Sequence, residues 1–415
     1  MKQSIIEASN GHQIYDSMHK SEGNVPFRVA TGPLRLESNL IDDIVNLGPA
    51  IAAYLNAVCE LYMADERVHQ LLDQGKPNIF KGNKPKYLFF RPDLILTAHG
   101  LKICEIEVSP FGLALSDILT KAYAKFGLMV DTGELKNHAI AHVPKTGAVI
   151  HSDKTRRFVG QLDYLASEIF SGKTSSWISA HADEISDLEE QFYRGFYLHE
   201  TVEDSRLHEI ANGQNCIPSP TPFFEEKAIL SLIWDTRFTN FLKQSLGESL
   251  FERLRRHIPP TWVIGNEDYF EPGLPNGTSQ TIDIASLGKS KRKIVLKSSG
   301  FCDTMSWGHG VHFLDKVSGS QVRQHIQEIL DSNQSTLYIC QDFTEPIKID
   351  YSYFQGEDVV AEKMATRITP YYAAIGDSPG HLLSIKATGR NGSRHIHAAT
   401  DSVNTPVAEI GRCLR

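Results

Sequence analysis

Two neighbouring apolar runs of the chain carry charged side chains at alternating positions. RPDLILT and LKICEIEV, within residues 91–108, are rich in Leu, Ile and Val and flank the turn-like AHG. Runs of this kind around a short glycine-containing turn predict a β-hairpin. A three-residue loop with Gly100 in a left-handed conformation pairs Thr97 with Leu101. The pattern therefore predicts two antiparallel strands and a definite register between them.

This register brings the charged side chains of the hairpin together. It places Asp93 opposite Glu105 and Arg91 opposite Glu107, on one face, because side chains alternate along a strand. The other face is predicted to be core and consists of Leu94, Leu96, Cys104, Ile106 and Val108. Like charges on paired strands repel each other. The patch is thus either the solvated face of an amphipathic hairpin or a site that requires a compensating cation.

The rest of the pattern mixes helical and extended segments. Residues 38–75 have apolar positions at helical spacing, which predicts two helices around Gly48-Pro49. A strand is predicted at 147–152 and a helix at 156–170. These elements predict an α+β protein in three parts, which are an N-terminal α/β part (1–174) containing the hairpin, a mainly helical segment (175–256), and a mixed C-terminal part (257–415).

Composition narrows the classes of function. The chain has 415 residues and a formal net charge of −8, which gives no electrostatic footprint for nucleic acid or for an anionic membrane. The six cysteines are dispersed without CxxC pairs, so no zinc knuckle or disulfide framework is indicated. The N-terminus lacks the apolar core of a signal peptide. We therefore expect a cytoplasmic protein that binds neither nucleic acid nor membranes.

A second group of candidate residues lies in KIVLKSSGFCDTMSWGHGV, residues 293–311. Lys297 ends an apolar strand, and a loop with Gly300, Gly308 and Gly310 follows it. Unpaired backbone N–H groups in such a loop can bind phosphate oxygens, and a lysine adds a point charge. The order of a Walker A loop is absent, and no GxGxxG opens a helix. A flexible surface loop is the alternative interpretation.

An apolar strand within TLYICQDFTEP, residues 336–346, ends at Gln341, Asp342 and Phe343. A strand that ends in this way is typical of a hinge whose backbone groups can bind a purine edge. Arg367 and Arg390 lie further along the chain and are either site residues or ordinary surface arginines. The segments GHGVH and HIH lack the partners of a transition-metal site.

Taken together, these residues resemble the ATP-grasp ligases of the circularly permuted branch typified by glutathione synthetase and glutathionylspermidine synthetase. In that branch an Arg-x-Asp strand precedes a Glu-x-Asn strand, and the lysine strand and glycine-rich loop follow later. This chain has Arg91-Pro-Asp93, Glu105-Ile-Glu107 and Lys297 in that order. EEKAILSLIWD (225–235) and IPPTWVI (258–264) are also similar to family elements. The resemblance implies an ATP-grasp fold, circularly permuted, with a helical inserted layer.

The resemblance also implies roles for individual residues. Asp93, Glu105 and Glu107 are implied Mg²⁺ ligands, and Arg91 is implied to be the catalytic residue that stabilises charge on an acyl phosphate. The implied ATP contacts are Lys297, Gly300, Gly308, His309, Gly310, Gln341, Asp342, Phe343 and Arg367. Glu107 stands where the family usually has Asn, so it either strengthens metal binding or pairs with Arg91.

The activity implied by the resemblance is ATP-dependent joining of a carboxylate to an amine through an acyl phosphate, with ADP and phosphate as products. The substrates are expected to be small amino-acid-like or peptide-like molecules, and the resemblance allows a homodimer. Two alternatives keep the nucleotide site. One is an enzyme that ends at a phosphorylated product, and the other is a nucleotide-binding protein without turnover.

Overall fold

The structure is a computed structural model that describes most of the chain. The described residues are 27–77, 85–109, 111–129, 132–188, 190–213, 215–221, 223–270, 278, 280–302, 310–331, 336–355, 358–376, 379–397 and 401–409.

The strands within these residues are numbered in chain order. They are β1 (Arg28–Val29), β2 (Leu34–Leu36), β3 (Phe89–Thr97), β4 (Gly100–Glu107), β5 (Thr146–His151), β6 (Ser176–His181), β7 (Phe192–Arg194), β8 (Cys216–Ile217), β9 (Thr261–Val263), β10 (Ile294–Ser298), β11 (Val311–Phe313), β12 (Tyr338–Asp342), β13 (Lys348–Gln355), β14 (Asp358–Ala373), β15 (Leu382–Arg390) and β16 (Ser402–Glu409).

The α-helices are numbered in the same way. They are α1 (Ser38–Ala64), α2 (Glu66–Leu72), α3 (Leu113–Ala124), α4 (Glu134–His142), α5 (Val159–Tyr164), α6 (Ser205–Asn212), α7 (Thr239–Leu246), α8 (Glu248–His257) and α9 (Gly319–Asp331). Helix α5 continues the 3₁₀ turn Arg156–Phe158 and runs into the π-helical turn Leu165–Phe170, so the predicted helix over 156–170 is present.

An eight-stranded sheet joins the two ends of the chain. Its strand order is β1-β16-β15-β14-β3-β4, with β13 paired to β14 and β2 paired to β16. Strand β3 of the hairpin runs antiparallel to β14, and Arg367 lies opposite Ile95. The predicted division into residues 1–174 and 257–415 thus separates strands that pair in one sheet, because long-range pairing has no signal in local sequence patterns.

A four-stranded antiparallel sheet contains the predicted lysine and hinge strands. Its order is β11-β10-β12-β9. Lys297 on β10 pairs with Ile339 on β12 and with Val311 on β11. Both strand predictions are confirmed, since short apolar runs bounded by polar loops form the buried centre of this sheet.

A third sheet is parallel and corrects one prediction. Its order is β6-β5-β7-β8, and all of its pairs are parallel. The prediction of a mainly helical segment at 175–256 is therefore wrong for its first half. Phe192 and Tyr193 are adjacent and both only 1% exposed, so they fill both faces of a strand rather than one face of a helix.

Helix α1 corrects a second prediction, because it is continuous where two helices were expected. Pro49 lies inside it. A Cβ added to Gly48 would lie 2.0 Å from the carbonyl oxygen of Gly380, so the glycine permits close packing. The helix is long and apolar enough to cross a membrane by composition alone, but 61% of its most apolar window is buried within the protein. A core helix has the same properties.

Candidate active site

The hairpin brings together the charged pairs expected from the sequence. Asp93 lies opposite Glu105, and Arg91 lies opposite Glu107. The turn itself differs from the prediction, since Thr97 pairs with Gly100 and the loop is one residue shorter. Gly100 has the expected positive φ, at 85°.

A β-bulge compensates for the shorter turn. The register shifts next to Asp93, and Cys104 is the extra residue on β4. Ile103, fully buried, therefore takes the core position that was predicted for Cys104. The other predicted core positions of the hairpin are buried, namely Leu94, Leu96, Ile106 and Val108. Bulges commonly re-aim groups beside functional sites, and here the Cys104 carbonyl accepts a hydrogen bond from Lys297 at 3.1 Å.

Two arginines neutralise the carboxylates of the hairpin. Asp93 is 3% exposed, and its Oδ2 accepts a hydrogen bond from Arg367 Nη1 at 2.8 Å. Its Oδ1 accepts from Thr369 at 3.3 Å and lies 3.5 Å from Arg91 Nε. Arg91 Nη2 donates to Glu107 at 2.6 Å and lies 3.9 Å from Glu105. The converging carboxylates are thus balanced by two guanidinium groups from β3 and β14.

Glu105 and Glu107 lie on the same face of β4 and influence each other's ionisation. Burial opposes ionisation of Glu105, but the Lys227 ammonium together with the other nearby cations outweighs burial and holds the pKa of Glu105 below its usual range. Burial raises the pKa of Glu107 well above its usual range, and the charge of Glu105 adds to this rise. Ionisation of both carboxyl groups at once is therefore disfavoured in the metal-free protein.

Lys297 lies beside this pair at the centre of the antiparallel sheet. Its Nζ donates to the Gln341 side-chain oxygen at 2.7 Å, in addition to the Cys104 carbonyl. Gln341 in turn donates to the Thr261 hydroxyl at 3.0 Å. Burial lowers the pKa of Lys297. Lys297 is thus in direct contact with the hairpin, and Gln341 is in direct contact with Lys297.

The hinge after β12 is ordered by backbone hydrogen bonds. The N–H of Asp342 donates to the Pro260 carbonyl, and the N–H of Phe343 donates to the Lys293 carbonyl, both at 2.9 Å. These two donors are thus already used within the protein. The predicted backbone contacts of these residues with a purine would therefore involve their carbonyl groups. Burial raises the pKa of Asp342 to about 6. The Arg394 guanidinium lies 4.3 Å from the centre of the Phe343 ring.

Of the glycines in the predicted phosphate loop, Gly300 and Gly310 lie within the described residues. Gly300 is buried, and a Cβ there would lie 1.8 Å from the Glu225 carbonyl oxygen, so packing already requires glycine. The carbonyl of Gly310 accepts a hydrogen bond from the Ser298 N–H at 2.9 Å. Gly308 and His309 lie outside the described residues.

A cleft opens between the eight-stranded sheet and the antiparallel sheet. The hairpin forms one wall, β10 to β12 form the opposite wall, and residues 394–397 close one side. Among its lining residues are Asp93, Ile95, Cys104, Glu105, Lys227, Val295, Lys297, Phe313, Gln341, Asp342, Phe343, Arg367 and His395. The cleft therefore combines an apolar, aromatic end with a strongly charged end.

Some buried polar residues in the cleft or beside the hairpin were not predicted from the sequence. Lys227 is 7% exposed and its Nζ lies 3.4 Å from Glu105. Lys386 on β15 is 4% exposed, and burial lowers its pKa to about 7. Tyr371 has a buried hydroxyl without a hydrogen-bond partner within the described part of the chain. Lys227 could have been found from the sequence, because a lysine at the start of the apolar run KAILSLIW is unusual. No comparable sequence signal marks Lys386.

The donor set fits magnesium in part. Among the residues that the structure describes, no three His, Cys, Asp or Glu side chains stand close enough to hold a metal ion. Asp93 is committed to Arg367 and Thr369. Glu105 and Glu107 remain, and Mg²⁺ is commonly held by one or two carboxylates together with substrate phosphates. The chemistry of this pair fits such an ion, whereas the contacts of Asp93 favour a structural role.

No protein-family model matches the chain, and no curated protein matches it. The structure is similar to that of a glutathione-synthetase-like effector from Globodera pallida in its apo form, with a TM-score of 0.54, 11% identity, and coverage of 99% of this chain and 98% of that one. A weaker likeness is to a protein assigned as a gamma-glutamylcysteine synthetase from Methylobacillus flagellatus, with a TM-score of 0.46, 9% identity, and coverage of 90% and 89%. The expected resemblance is confirmed at the level of the fold, which is glutathione-synthetase-like over nearly the whole chain.

Proposed function

We propose that this protein is an ATP-dependent ligase that joins a carboxylate to an amine through an acyl phosphate. One observation carries the proposal. Two lysines, Lys227 and Lys297, meet Glu105 at one end of the cleft. Glu107 and Arg91 lie directly beside Glu105 on the hairpin. Lysines suit the phosphates of a nucleotide, and paired carboxyl groups suit the cation that accompanies them.

We propose a role for each group at the charged end of the cleft. Lys297 and Lys227 would bind phosphate oxygens once these replace their present partners, Gln341 and Glu105. Glu105 and Glu107 would hold Mg²⁺, which when bound draws charge from the transferred phosphoryl group. Bound Mg²⁺ would favour the ionised forms of both carboxyl groups.

Arg91 would stabilise the reacting carboxylate. Its side chain is 12% exposed and is fixed by a hydrogen bond to the Phe111 carbonyl at 2.8 Å. A fixed guanidinium requires no reorganisation when negative charge develops on the acyl phosphate oxygens. The surrounding burial would exclude water, which otherwise hydrolyses the acyl phosphate.

The apolar end of the cleft fits a nucleotide base. Phe313 and Phe343 contact each other at 5.5 Å between ring centres, and Arg394 covers Phe343. Arg394 is held by hydrogen bonds to Asp315 at 2.7 and 2.9 Å. A planar base can stack against such a surface. The acid and amine substrates stay predictions of the same chemical class, small amino-acid-like or peptide-like molecules, and the cytoplasmic location stays a prediction.

Phosphate release from ATP tests the proposal. The protein is incubated with ATP, Mg²⁺ and a panel of amino acids and short peptides, singly and in pairs. A ligase requires both an acid and an amine, a phosphotransferase turns over without the amine, and a protein without turnover releases no phosphate. Lys297→Ala is expected to abolish release or raise the KM for ATP. Lys289→Ala, at an exposed lysine, is the matched control and should leave release unchanged.

A further inference from the structure

Three consecutive side chains connect the three sheets of the molecule. Residues 225–227 have the sequence Glu-Glu-Lys and precede or begin the 3₁₀ helix Lys227–Trp234. All three side chains are at most 8% exposed, and each forms an ion pair with a different part of the chain. We call residues 225–227 the junction.

Glu225 connects the junction to the parallel sheet. Its carboxylate pairs with Arg194, which ends β7, and accepts a hydrogen bond from the Leu198 N–H at 3.1 Å. Arg194 is 1% exposed and also donates to the Pro218 and Phe196 carbonyls, at 3.2 and 3.0 Å. The carboxyl end of a parallel strand is where open α/β sheets bind ligands. The junction thus contacts this end of the sheet directly.

Glu226 connects the junction to the lysine strand. It pairs with Lys76 at 2.7 Å and accepts a hydrogen bond from the hydroxyl of Ser299, the residue after β10. The Ser299 carbonyl accepts from the Lys227 N–H at 3.1 Å. Gly300 leaves no space against the Glu225 carbonyl, because a Cβ there would lie 1.8 Å away. The end of the lysine strand and the junction therefore move together.

Lys227 connects the junction to the hairpin. Its Nζ lies 3.4 Å from Glu105 Oε2 and donates to the Ser299 carbonyl at 3.4 Å. A magnesium nucleotide in the cleft would supply Glu105 with a stronger cation and Lys227 with phosphate oxygens. The pair between Lys227 and Glu105 would then be exchanged, and the position of the junction would change with it.

We propose that Glu225 and Glu226 are positioning residues that couple the nucleotide cleft to the end of β7. Glu226 holds the lysine strand against the junction, and Glu225 transmits the position of Lys227 to Arg194 and to the backbone at Leu198. This inference rests on the proposed function, because it requires the cleft to bind a magnesium nucleotide. Coupling of this kind is reciprocal, so a ligand at the end of β7 would alter nucleotide affinity by the same factor.

Hydrogen exchange measures the coupling directly, because the Leu198 N–H donates to Glu225. The probe is the non-hydrolysable analogue AMP-PNP with Mg²⁺, added to the full chain. We expect exchange to slow at β10 and, by about fivefold or more, at Leu198. Slower exchange at β10 with no change at Leu198 overturns the coupling and leaves the proposed function standing. No change at either place overturns both.

Two variants separate positioning from simple structural support. In Glu225→Gln, we expect β10 to respond to Mg²⁺ and AMP-PNP as in the wild type, while the response at Leu198 falls below about twofold. Glu209→Gln, which removes an exposed ion pair with Arg206 in the same part of the molecule, should keep both responses. If Glu225→Gln does not fold, Ser299→Ala removes the hydrogen bond to Glu226. The exchange responses at β10 and Leu198 are then measured in this variant in the same way. A full response at Leu198 in the folded variants overturns the inference.

Discussion

The two strands of the hairpin use the same residue types in different ways. On β3, Asp93 is 3% exposed and bound by Arg367 and Thr369. On β4, the side chains of Glu105 and Glu107 are 21% and 29% exposed, and burial raises the pKa of Glu107. Strand β3 is enclosed between β4 and β14, whereas β4 is the end strand of its path through the sheet.

This difference separates a carboxylate that stabilises the fold from carboxyl groups that can bind a cation. A buried carboxylate with an arginine partner contributes to the fold, because removing one member leaves the other charge unpaired. Two neighbouring carboxyl groups beside a cleft, whose joint ionisation is disfavoured, can gain a cation at small cost to the fold. Strand position thus divides three carboxylates that look equivalent in the sequence.

The largest effect is expected for Asp93→Asn. The change leaves Arg367 and Arg91 short of one negative charge on a buried face, and we expect a loss of about 3–5 kcal/mol in the free energy of unfolding. Urea denaturation measures it. Asp350→Asn removes an exposed pair with Lys363 and should cost less than about 1 kcal/mol. If Asp93→Asn also costs less than about 1 kcal/mol, Asp93 is not held as a structural charge and belongs with Glu105 and Glu107.

Glu107→Gln should affect metal binding and leave the fold intact. Its amide keeps a hydrogen-bond acceptor for Arg91, which retains Asp93 as a second partner, so we expect a loss of about 1–2 kcal/mol in stability, smaller than that in Asp93→Asn. Mg²⁺ affinity, measured by titration of AMP-PNP binding, should fall by about 10- to 100-fold. Unchanged Mg²⁺ affinity would mean that Glu107 serves only as the partner of Arg91. Glu203→Gln, at an exposed pair with Lys154, is the control.

Lys386 extends the buried face of β3 and β14 and should make stability depend on pH. Burial lowers its pKa from 10.5 to about 7, so between these values the unfolded chain binds more protons than the folded one. The free energy of unfolding should therefore rise with pH, by up to about 1.4 kcal/mol per pH unit, and the penalty is fully present below pH 7.

Urea denaturation from pH 7 to 9.5 checks this slope. Lys386→Met removes the titrating group and should flatten the curve while raising stability at neutral pH. Lys363→Met, at an exposed lysine, should leave the slope as in the wild type. Equal slopes in all three proteins would show that Lys386 is charged in the folded state.

The smallest effect is expected in the turn. Gly100→Ala places a side chain at a φ of 85° and should cost about 1 kcal/mol. The bulge at Cys104 maintains the pairs beyond it, so AMP-PNP binding should not change. Gly288→Ala, at a φ of −62° with open space around it, should be neutral. Weakened nucleotide binding in Gly100→Ala would mean that the turn, and not the bulge, determines the register at Asp93 and Glu105.

The hairpin illustrates how far local patterns reach. Alternation along RPDLILT and LKICEIEV was enough to pair Asp93 with Glu105 and Arg91 with Glu107, because the period of a strand and the side of its core are local properties. The turn was predicted one residue too long, and the bulge at Cys104 corrected the register. Two compensating irregularities leave no separate signal in the sequence.

The parallel sheet illustrates where such patterns fail. Short runs such as FYR are too brief for periodicity to distinguish strand from helix. The partner strands of FYR, β5 and β8, are distant from it in the sequence. Only the assembled sheet, which buries both faces of Phe192 and Tyr193, determines that this segment is extended.

The sequence by itself determined the lysine strand, the strand that ends at Asp342 and the charged face of the hairpin, because each depends on residue types within one short segment. Tertiary structure decided which carboxylates are neutralised and which cations join them. Arg367 reaches Asp93 and Lys227 reaches Glu105 from positions distant in the chain. The strength of these ion pairs depends on distance and burial, which exist only once the sheets have closed around the cleft.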